Sequence, residues 1–177
     1  MTGDRILSRR WFAAACLLLV SVLLAGCATR PTADHTLSEI VNVSALRAEA
    51  LAMVNQQRRG EGLAALQPSA RLNAAAQAHA EDMARRGFYS HHSPEGQDAQ
   101  ARYRAQGGRD WRIIGENIAS CRNCASPSEQ LRLFQQSWMR SAGHRQNILE
   151  ARYEEFGFGI ASANGRYYVV QTFVGHR

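Results

Sequence analysis

The chain of 177 residues contains no lysine; all 21 of its basic residues are arginine. Chemistry that begins at a lysine amine, such as a Schiff base or the lysine of a phosphate-binding loop, is therefore excluded. Other signatures are missing too. The sequence holds no H-E-x-x-H, no G-x-S-x-G and no second C-x-x-C. Those absences remove the helix-borne zinc-protease motif, the serine nucleophile elbow and the four-cysteine zinc site. Arginines are scattered along the chain and no basic run is interleaved with aromatics. Nucleic acid is accordingly not an expected partner. A hydrophobic content of 45% against 20% charged residues excludes collagen-like and wholly disordered chains. The length suits one domain, and no internal repeat divides it.

What is present begins at the N-terminus. Arg5, Arg9 and Arg10 precede an apolar run from Phe12 to Leu24. That run is shorter than the roughly 20 residues of a spanning helix. Its shape is that of a secretory signal. It ends Leu24-Ala25-Gly26-Cys27, which resembles the lipobox of bacterial lipoproteins. The resemblance implies a signal over residues 1–26, a lipid (palmitate among its acyl chains) on Cys27 and a tether over 27–43. The domain proper is then expected over 44–177. The membrane becomes a partner through the anchor, and the protein faces the periplasm or the cell surface of a bacterial envelope. Ala28, where an Asp would favour inner-membrane retention, points to the outer membrane in a Gram-negative cell. Ser8-Arg9-Arg10-Trp11-Phe12 also resembles a twin-arginine signal, so the export route stays open. Loss of residues 1–26 leaves 18 basic and 14 acidic residues, a mild positive excess.

Cysteine usage follows from that reading. Cys16 leaves with the signal and Cys27 carries the lipid. Cys121 and Cys124 remain, spaced C-x-x-C. In an oxidising compartment this spacing reads first as a local disulfide. A thiol redox pair and half a zinc site are the alternatives. The strand-to-helix context of a thioredoxin-like pair is absent, and no further cysteines complete a zinc site.

The periodicity places the elements. Ser44 is expected to cap a helix to about Arg59, with Leu46, Leu51 and Val54 on its apolar side. A second, alanine-rich helix starts after Pro68-Ser69 and ends at Gly87; His79 reads as a packed or surface histidine within it. Phe88 to Gly96 reads as a loop, followed by a short helix from about Asp98 to Gln106. A short strand from Trp111 to Ile114 leads into Gly115-Glu116-Asn117-Ile118. Ser126-Pro127-Ser128-Glu129 reads as a capping box with proline at the first helical position. Its helix carries Leu131, Phe134 and Trp138 on one face and ends before Gly143. Phe156 to Ala161 and Arg166 to Val174 are strands, and Asn164-Gly165 between them is a two-residue hairpin turn. Long helices ahead of an antiparallel pair argue for an α+β fold, helices covering a small sheet.

Three short stretches carry the chemistry. They are Ser90-His91-His92-Ser93-Pro94, Gly115-Glu116-Asn117-Ile118 and Gly143-His144 through Leu149. All are expected at element ends or in loops, where a scaffold presents functional groups. Imidazole suits zinc, copper or nickel, and two histidines with a carboxylate can form a metal-water site. Spacing alone does not bring them together. His91 and His144 can equally serve their own loops, Glu116 can brace backbone N–H groups, and Asn147 can close a turn. His92 is expected to point away from His91. Tyr89 and Trp138 read as core or cleft wall.

In their order, F-Y-S-H-x-S-P, G-E-N-I-A, W-M-x-S-x-G-H-R-x-N-I-L, F-G-F-G and Y-V-V-Q-T-F resemble the CAP superfamily. These are the cysteine-rich secretory, antigen 5 and pathogenesis-related 1 proteins, whose domain is also called SCP. The likeness covers about residues 47 to 174 and looks like the bacterial branch. It implies a three-layer α-β-α sandwich with a small, mostly antiparallel sheet, and a cleft where His91, Glu116 and His144 converge. It also implies a weak divalent-metal site there, zinc foremost. Many eukaryotic members carry a further Glu three residues after the helix tryptophan; here that position is Ser141. The missing carboxylate weakens a catalytic reading in which Glu116 is the general base. The function expected is thus a surface-tethered module that binds a lipid, a cell-wall component or a protein. The alternatives are a metal-dependent hydrolase of peptide or cell-wall substrates using the same cleft, and a thiol oxidoreductase using Cys121 and Cys124. A serine-hydrolase version around Ser93 is weaker still.

Overall fold

In the computed structural model, which describes residues 33–124 and 126–177, Asn164 and Gly165 both adopt positive φ, 51° and 71°. Those angles are what a two-residue turn needs to match the twist of the strands it joins. The turn pairs β3 (Glu155–Ala163) with β4 (Arg166–His176) in an antiparallel hairpin. β2 (Trp111–Arg122) pairs with the other side of β4, also antiparallel, and a two-residue β1 (Gln67–Pro68) runs parallel to β3. The sheet order is β1-β3-β4-β2, which leaves β2 as an edge strand.

Side-chain alternation gives this sheet two buried faces. Phe156, Phe158, Val169, Phe173 and Ala119 lie on one. They pack against Leu46, Ala50 and Val54 of α1 (Ala33–Gly60), Leu131, Phe134 and Trp138 of α4 (Pro127–Arg140) and Ile148 of α5 (Ala142–Leu149). Ile118, Tyr168 and Val170 lie on the other and meet Ala76, Ala80 and Met83 of α2 (Ala70–Arg86). α3 (Ala99–Ala105) adds Tyr103 against Leu72 and Val174. The expected three-layer α-β-α sandwich is therefore the fold.

The F-G-F-G motif is explained by this layering. Its phenylalanines enter one core while Gly157 and Gly159 let the α2 backbone settle on the other face. A Cβ on Gly159 would stand 2.3 Å from the backbone of Ala76 and Gln77. Asn73 and Gln77 of α2 then bond the backbone of Phe158 and Ile160, and Arg47 donates to the Phe158 carbonyl. The outer edge of β3 is thus covered, which protects it from pairing with other chains. Gly159→Ala is expected to cost about 3 kcal/mol, because helix backbone has to move. Urea unfolding measures it; an unchanged midpoint would contradict such close packing.

Several boundaries differ from the sequence reading. α1 begins at Ala33, not at Ser44, and so takes in most of the expected tether; no proline or glycine interrupts residues 33–59. β2 continues through Gly115 to Arg122 where a short strand and loop were expected. α4 ends at Arg140, before Gly143 as expected, but the stretch from Ala142 to Leu149 forms a further helix that was not expected. Ser126 makes no side-chain cap, and the capping box does not form, although Pro127 does open α4. Gly87 ends α2 in the left-handed conformation, as expected. Cys121 and Cys124 form a disulfide between the end of β2 and the approach to α4. The expected signal over 1–26 and the lipid-bearing Cys27 lie outside the described residues. Among the described residues no helix is long and apolar enough to cross a membrane.

Candidate functional site

The site is built on the free edge of β2. The carbonyl of Glu116 accepts from Asn147 Nδ2 (3.0 Å) on α5, and the carbonyl of Ile118 accepts from Trp138 Nε1 (3.1 Å) and the Tyr89 hydroxyl (3.1 Å). Elements from both faces thereby meet at one edge: α4 and α5 from one side, the loop after α2 from the other. Gly115 permits the approach, since a Cβ there would lie 2.2 Å from the Tyr153 hydroxyl and 2.9 Å from Asn147 Oδ1. Asn147 Nδ2 also donates to Asn117 Oδ1 (2.9 Å), and Asn117 Nδ2 donates to the carbonyl of His144 (3.2 Å). Asn147 and Asn117 tie α5 to the strand, and with it the backbone of His144.

Successive residues of β2 point to opposite faces, so Glu116 points away from Asn117, under the loop and α3. Its side chain is nearly buried, and both carboxylate oxygens are engaged. Oε1 accepts from His91 Nδ1 at 2.9 Å, and Oε2 accepts from Arg102 Nη2 at 2.6 Å. Arg102 is itself only 8% exposed. It also donates to the carbonyls of Gln97 (2.7 Å) and His91 (3.1 Å). A buried carboxylate needs a partner of opposite charge, and Arg102 is that partner. The His91 ring, with its side chain 51% exposed, lies on the outer side. His91, Glu116 and Gly115 line a cavity of about 280 Å³, together with His92. His92 thus also lines this cavity.

His144 sits in the first turn of α5, half-buried beside Trp138, with ring centroids 6.5 Å apart. Its Nδ1 is 2.9 Å from the Ser141 hydroxyl. Ser141 thus helps to hold the ring in place. Each of the two imidazoles, His91 and His144, has Nδ1 occupied, one by Glu116 and one by Ser141, while Nε2 of each has no hydrogen bond among the described residues. A metal-ligating histidine commonly has its second nitrogen held in this way. Among the described residues no group of three His, Cys, Asp or Glu side chains is placed to hold a metal ion. His144 does not line the cavity that His91 and Glu116 share, so the three expected site residues are not brought into one cavity.

The loop that carries His91 is organised by Ser93. Its Oγ accepts from the N–H groups of Glu95 (3.3 Å) and Gln97 (3.2 Å), and its own N–H donates to the Gln97 carbonyl (3.0 Å). That role is architectural. His79 of α2 is 1% exposed, and its Nε2 lies 2.9 Å from the Ser90 carbonyl and 4.0 Å from Glu116 Oε1. Sequence reasoning gave this histidine no part in the site and did not single out Arg102. Arg102 lies on a seven-residue helix, too short for periodicity to mark its inward face.

Burial is the main reason that His79 titrates below its ordinary value of 6.5; Arg102 acts in the same direction, while Glu116, the Ser90 carbonyl and Asp82 oppose it. His144 is also lowered, by burial first and by His91 second. In the unfolded chain these rings protonate near 6.5, whereas the folded rings stay neutral to lower pH. The unfolded state binds more protons in that window, so this stability is complete above about pH 6.5 and is lost as the pH falls toward the folded values. The melting temperature should fall between about pH 7.5 and pH 5, and less steeply in His79→Gln. Equal slopes in the two proteins would contradict the assignment.

Residues 51–173 match the CAP family, the cysteine-rich secretory protein family. The uncharacterized protein YkwD of Bacillus subtilis (strain 168) is 29% identical over 148 residues, covering 84% of this chain and 54% of that protein. The chain thus spans about half the length of this curated relative. An extracellular SCP-domain protein of Bacillus anthracis superposes with a TM-score of 0.60 at 25% identity, over 75% of this chain and 41% of the other. An outer surface protein of Borrelia burgdorferi gives 0.63 at 15% identity, over 72% of this chain and 90% of the other. The latter likeness is one of fold.

Proposed function

Because this chain belongs to the CAP family, whose relatives above include an extracellular and an outer surface protein, we propose that it is an extracytoplasmic binding module. Cys27 would anchor it to the bacterial envelope, in the outer membrane where the cell has one. The cleft at the β2 edge would receive a lipid, cell-wall or protein ligand. The observation that carries this reading is the state of Glu116: one oxygen is held by Arg102 and the other by His91. A general base needs its carboxylate open to a water or substrate proton, and the Glu116 side chain is only 5% exposed. Glu116 is instead a fixed strut, and the groups that face outward are the imidazoles.

In this reading His91 and His144 would hold a divalent cation, zinc foremost, weakly. It would supply a positive anchor for an anionic or carbonyl oxygen of the ligand. Co-sedimentation of the full-length protein with phospholipid vesicles, with peptidoglycan sacculi and with envelope proteins tests the binding role. Saturable association with one of these, weakened at least about tenfold by the His91→Ala/His144→Ala pair, is the expected result. Association with none of them, or turnover of peptide or cell-wall substrates that Glu116→Gln abolishes, would replace this reading with the hydrolase one.

A further inference from the structure

One corner of the domain carries positive charge that the chain does not neutralise. After α3, Gly107 takes a positive φ of 78°, and Gly108 lies so close over the Tyr103 ring that a Cβ there would stand 2.4 Å from it. The chain thus turns back on α3 and passes through Arg109 into β2. At the start of that strand the register with β4 slips between Trp111 and Ile113, which makes Arg112 the extra residue of a bulge. Arg71 of α2 reaches the same turn, its Nε 4.0 Å from where a Cβ of Gly107 would stand. Arg71, Arg104, Arg109 and Arg112 are all exposed.

Elsewhere on the surface Arg85, Arg86, Arg132, Arg145 and Arg152 each meet a carboxylate. Arg104, Arg109 and Arg112 meet none among the described residues. Arg104 is held instead over the Trp111 ring, 5.2 Å from its centroid. Such a contact fixes a long side chain without cancelling its charge. Of the carboxylates at this corner, Glu150 is taken by Arg152 and Glu155 by His176. That leaves Asp110 and Glu154 beside four guanidinium groups, a local excess that attracts anions.

The fold also sets which end of the domain this corner occupies. Arg47 of α1 bonds the Phe158 carbonyl, and Arg58 bonds the Tyr153 carbonyl. The helix between the two arginines and the chain between the two carbonyls each span about 17 Å, so α1 runs antiparallel to β3. It therefore ends beside the start of β3, the end of the sheet at which Trp111 pairs with His176. Its N-terminus, Ala33, points toward the hairpin end, and Cys27 precedes Ala33 by six residues. A chain tethered through Cys27 is held from the hairpin end, and the arginine corner is at the far end.

We propose that this corner docks on the carboxylates of cell-wall peptidoglycan, a polyanion that lies beyond the leaflet holding the anchor. The proposal rests on the anchored, extracytoplasmic part of the reading above, and not on what the His91/His144 cleft binds. Guanidinium groups pair with carboxylates through two parallel hydrogen bonds, and a polymer with many carboxylates engages several arginines at once.

The test is co-sedimentation of the full-length protein with peptidoglycan sacculi, before and after their carboxylates are converted to amides. Saturable binding is expected, at least about tenfold weaker to amidated sacculi and in about 0.5 M salt. Arg104→Gln/Arg109→Gln/Arg112→Gln should weaken it by a similar factor. So should Arg109→Glu/Arg112→Glu, which leaves the Arg104–Trp111 contact in place. Arg122→Gln/Arg132→Gln/Arg140→Gln removes the same charge from other exposed positions and should leave binding intact, as should His91→Ala/His144→Ala. No binding to sacculi, binding indifferent to amidation, or equal loss in the two glutamine variants would overturn the proposal; association with vesicles or envelope proteins would then leave the binding-module reading standing. Loss confined to the histidine variant would assign the wall to the cleft instead, and tighter binding to phosphatidylglycerol vesicles than to sacculi would replace the wall with a lipid surface. Recovery of the protein from the soluble and not the membrane fraction of its cell would remove the anchor, and this proposal with it.

Discussion

Arg102→Met is expected to destabilise the protein by about 3 kcal/mol, the scale on which removing one partner of a buried ion pair is felt. The substitution keeps most of the side-chain volume and removes only the guanidinium. It leaves the carboxylate of Glu116 without its cation and the carbonyls of Gln97 and His91 without their donor. Because the loop carrying His91 is held by two of those bonds, the loss should also loosen the cleft. Glu116→Gln in the same background should recover part of the stability, since an amide tolerates burial without a cation. The double variant should therefore lose less than the sum of the two single ones. Urea unfolding of the four proteins provides the cycle. A single-variant cost within about 0.5 kcal/mol, the scale of an ordinary surface change, would mean that Arg102 is not the group that sustains the buried carboxylate.

Arg58→Met should cost about 4 kcal/mol, since several buried acceptors lose their donor together. Arg58 is completely buried, and burial lowers its pKa. It donates to the carbonyls of Ala64 (2.8 Å), Ile148 (3.0 Å), Glu150 (2.8 Å) and Tyr153 (3.4 Å). Two of those oxygens lie at the C-terminal end of α5, where a cation also meets the negative end of the helix dipole. The same residue that closes α1 thus fixes the helix whose first turn presents His144. Arg58→Lys should recover little, because an ammonium cannot reproduce the planar fork that spans these acceptors. Urea unfolding reads the stability, and the His144 imidazole signal reads the site. A Lys variant as stable as the wild type would show that charge alone, without the fork, is enough.

The fold was legible where local chemistry is decisive. Asn164-Gly165 forces a tight turn, Gly87 ends a helix, and the alternation along Arg166 to Val174 makes β4 a strand whatever it packs against. Gly115 and Asn117 mislead because both disfavour strands in isolation. β2 runs through them because Tyr153 and Asn147 crowd onto Gly115, and because Asn117 has Asn147 and Gln171 to bond. The start of α1 was hidden because Ser44 looks like a cap, whereas nothing between residues 33 and 59 compels a break.

At the site, His91 and Glu116 were readable from their motifs and do touch. His144, expected beside them, stands at the start of α5 with Ser141 holding its ring, outside the lining of the cavity that His91 and Glu116 share. Arg102 was not readable: a buried carboxylate demands a cation, but among 21 arginines only the folded chain shows which one. His79 was hidden for a similar reason, since a helical histidine declares neither its burial nor its neighbours.

Zinc calorimetry on the full-length wild type, Glu116→Gln and the His91→Ala/His144→Ala variant tests most directly whether Glu116 is a strut behind His91 and the two imidazoles are the ligands. Measurable binding should disappear in the double-histidine variant. In Glu116→Gln it should weaken by roughly 10- to 100-fold without vanishing, as for an outer-shell partner. No zinc binding by the wild type, or binding that survives loss of both histidines while Glu116→Gln abolishes it, would contradict that arrangement.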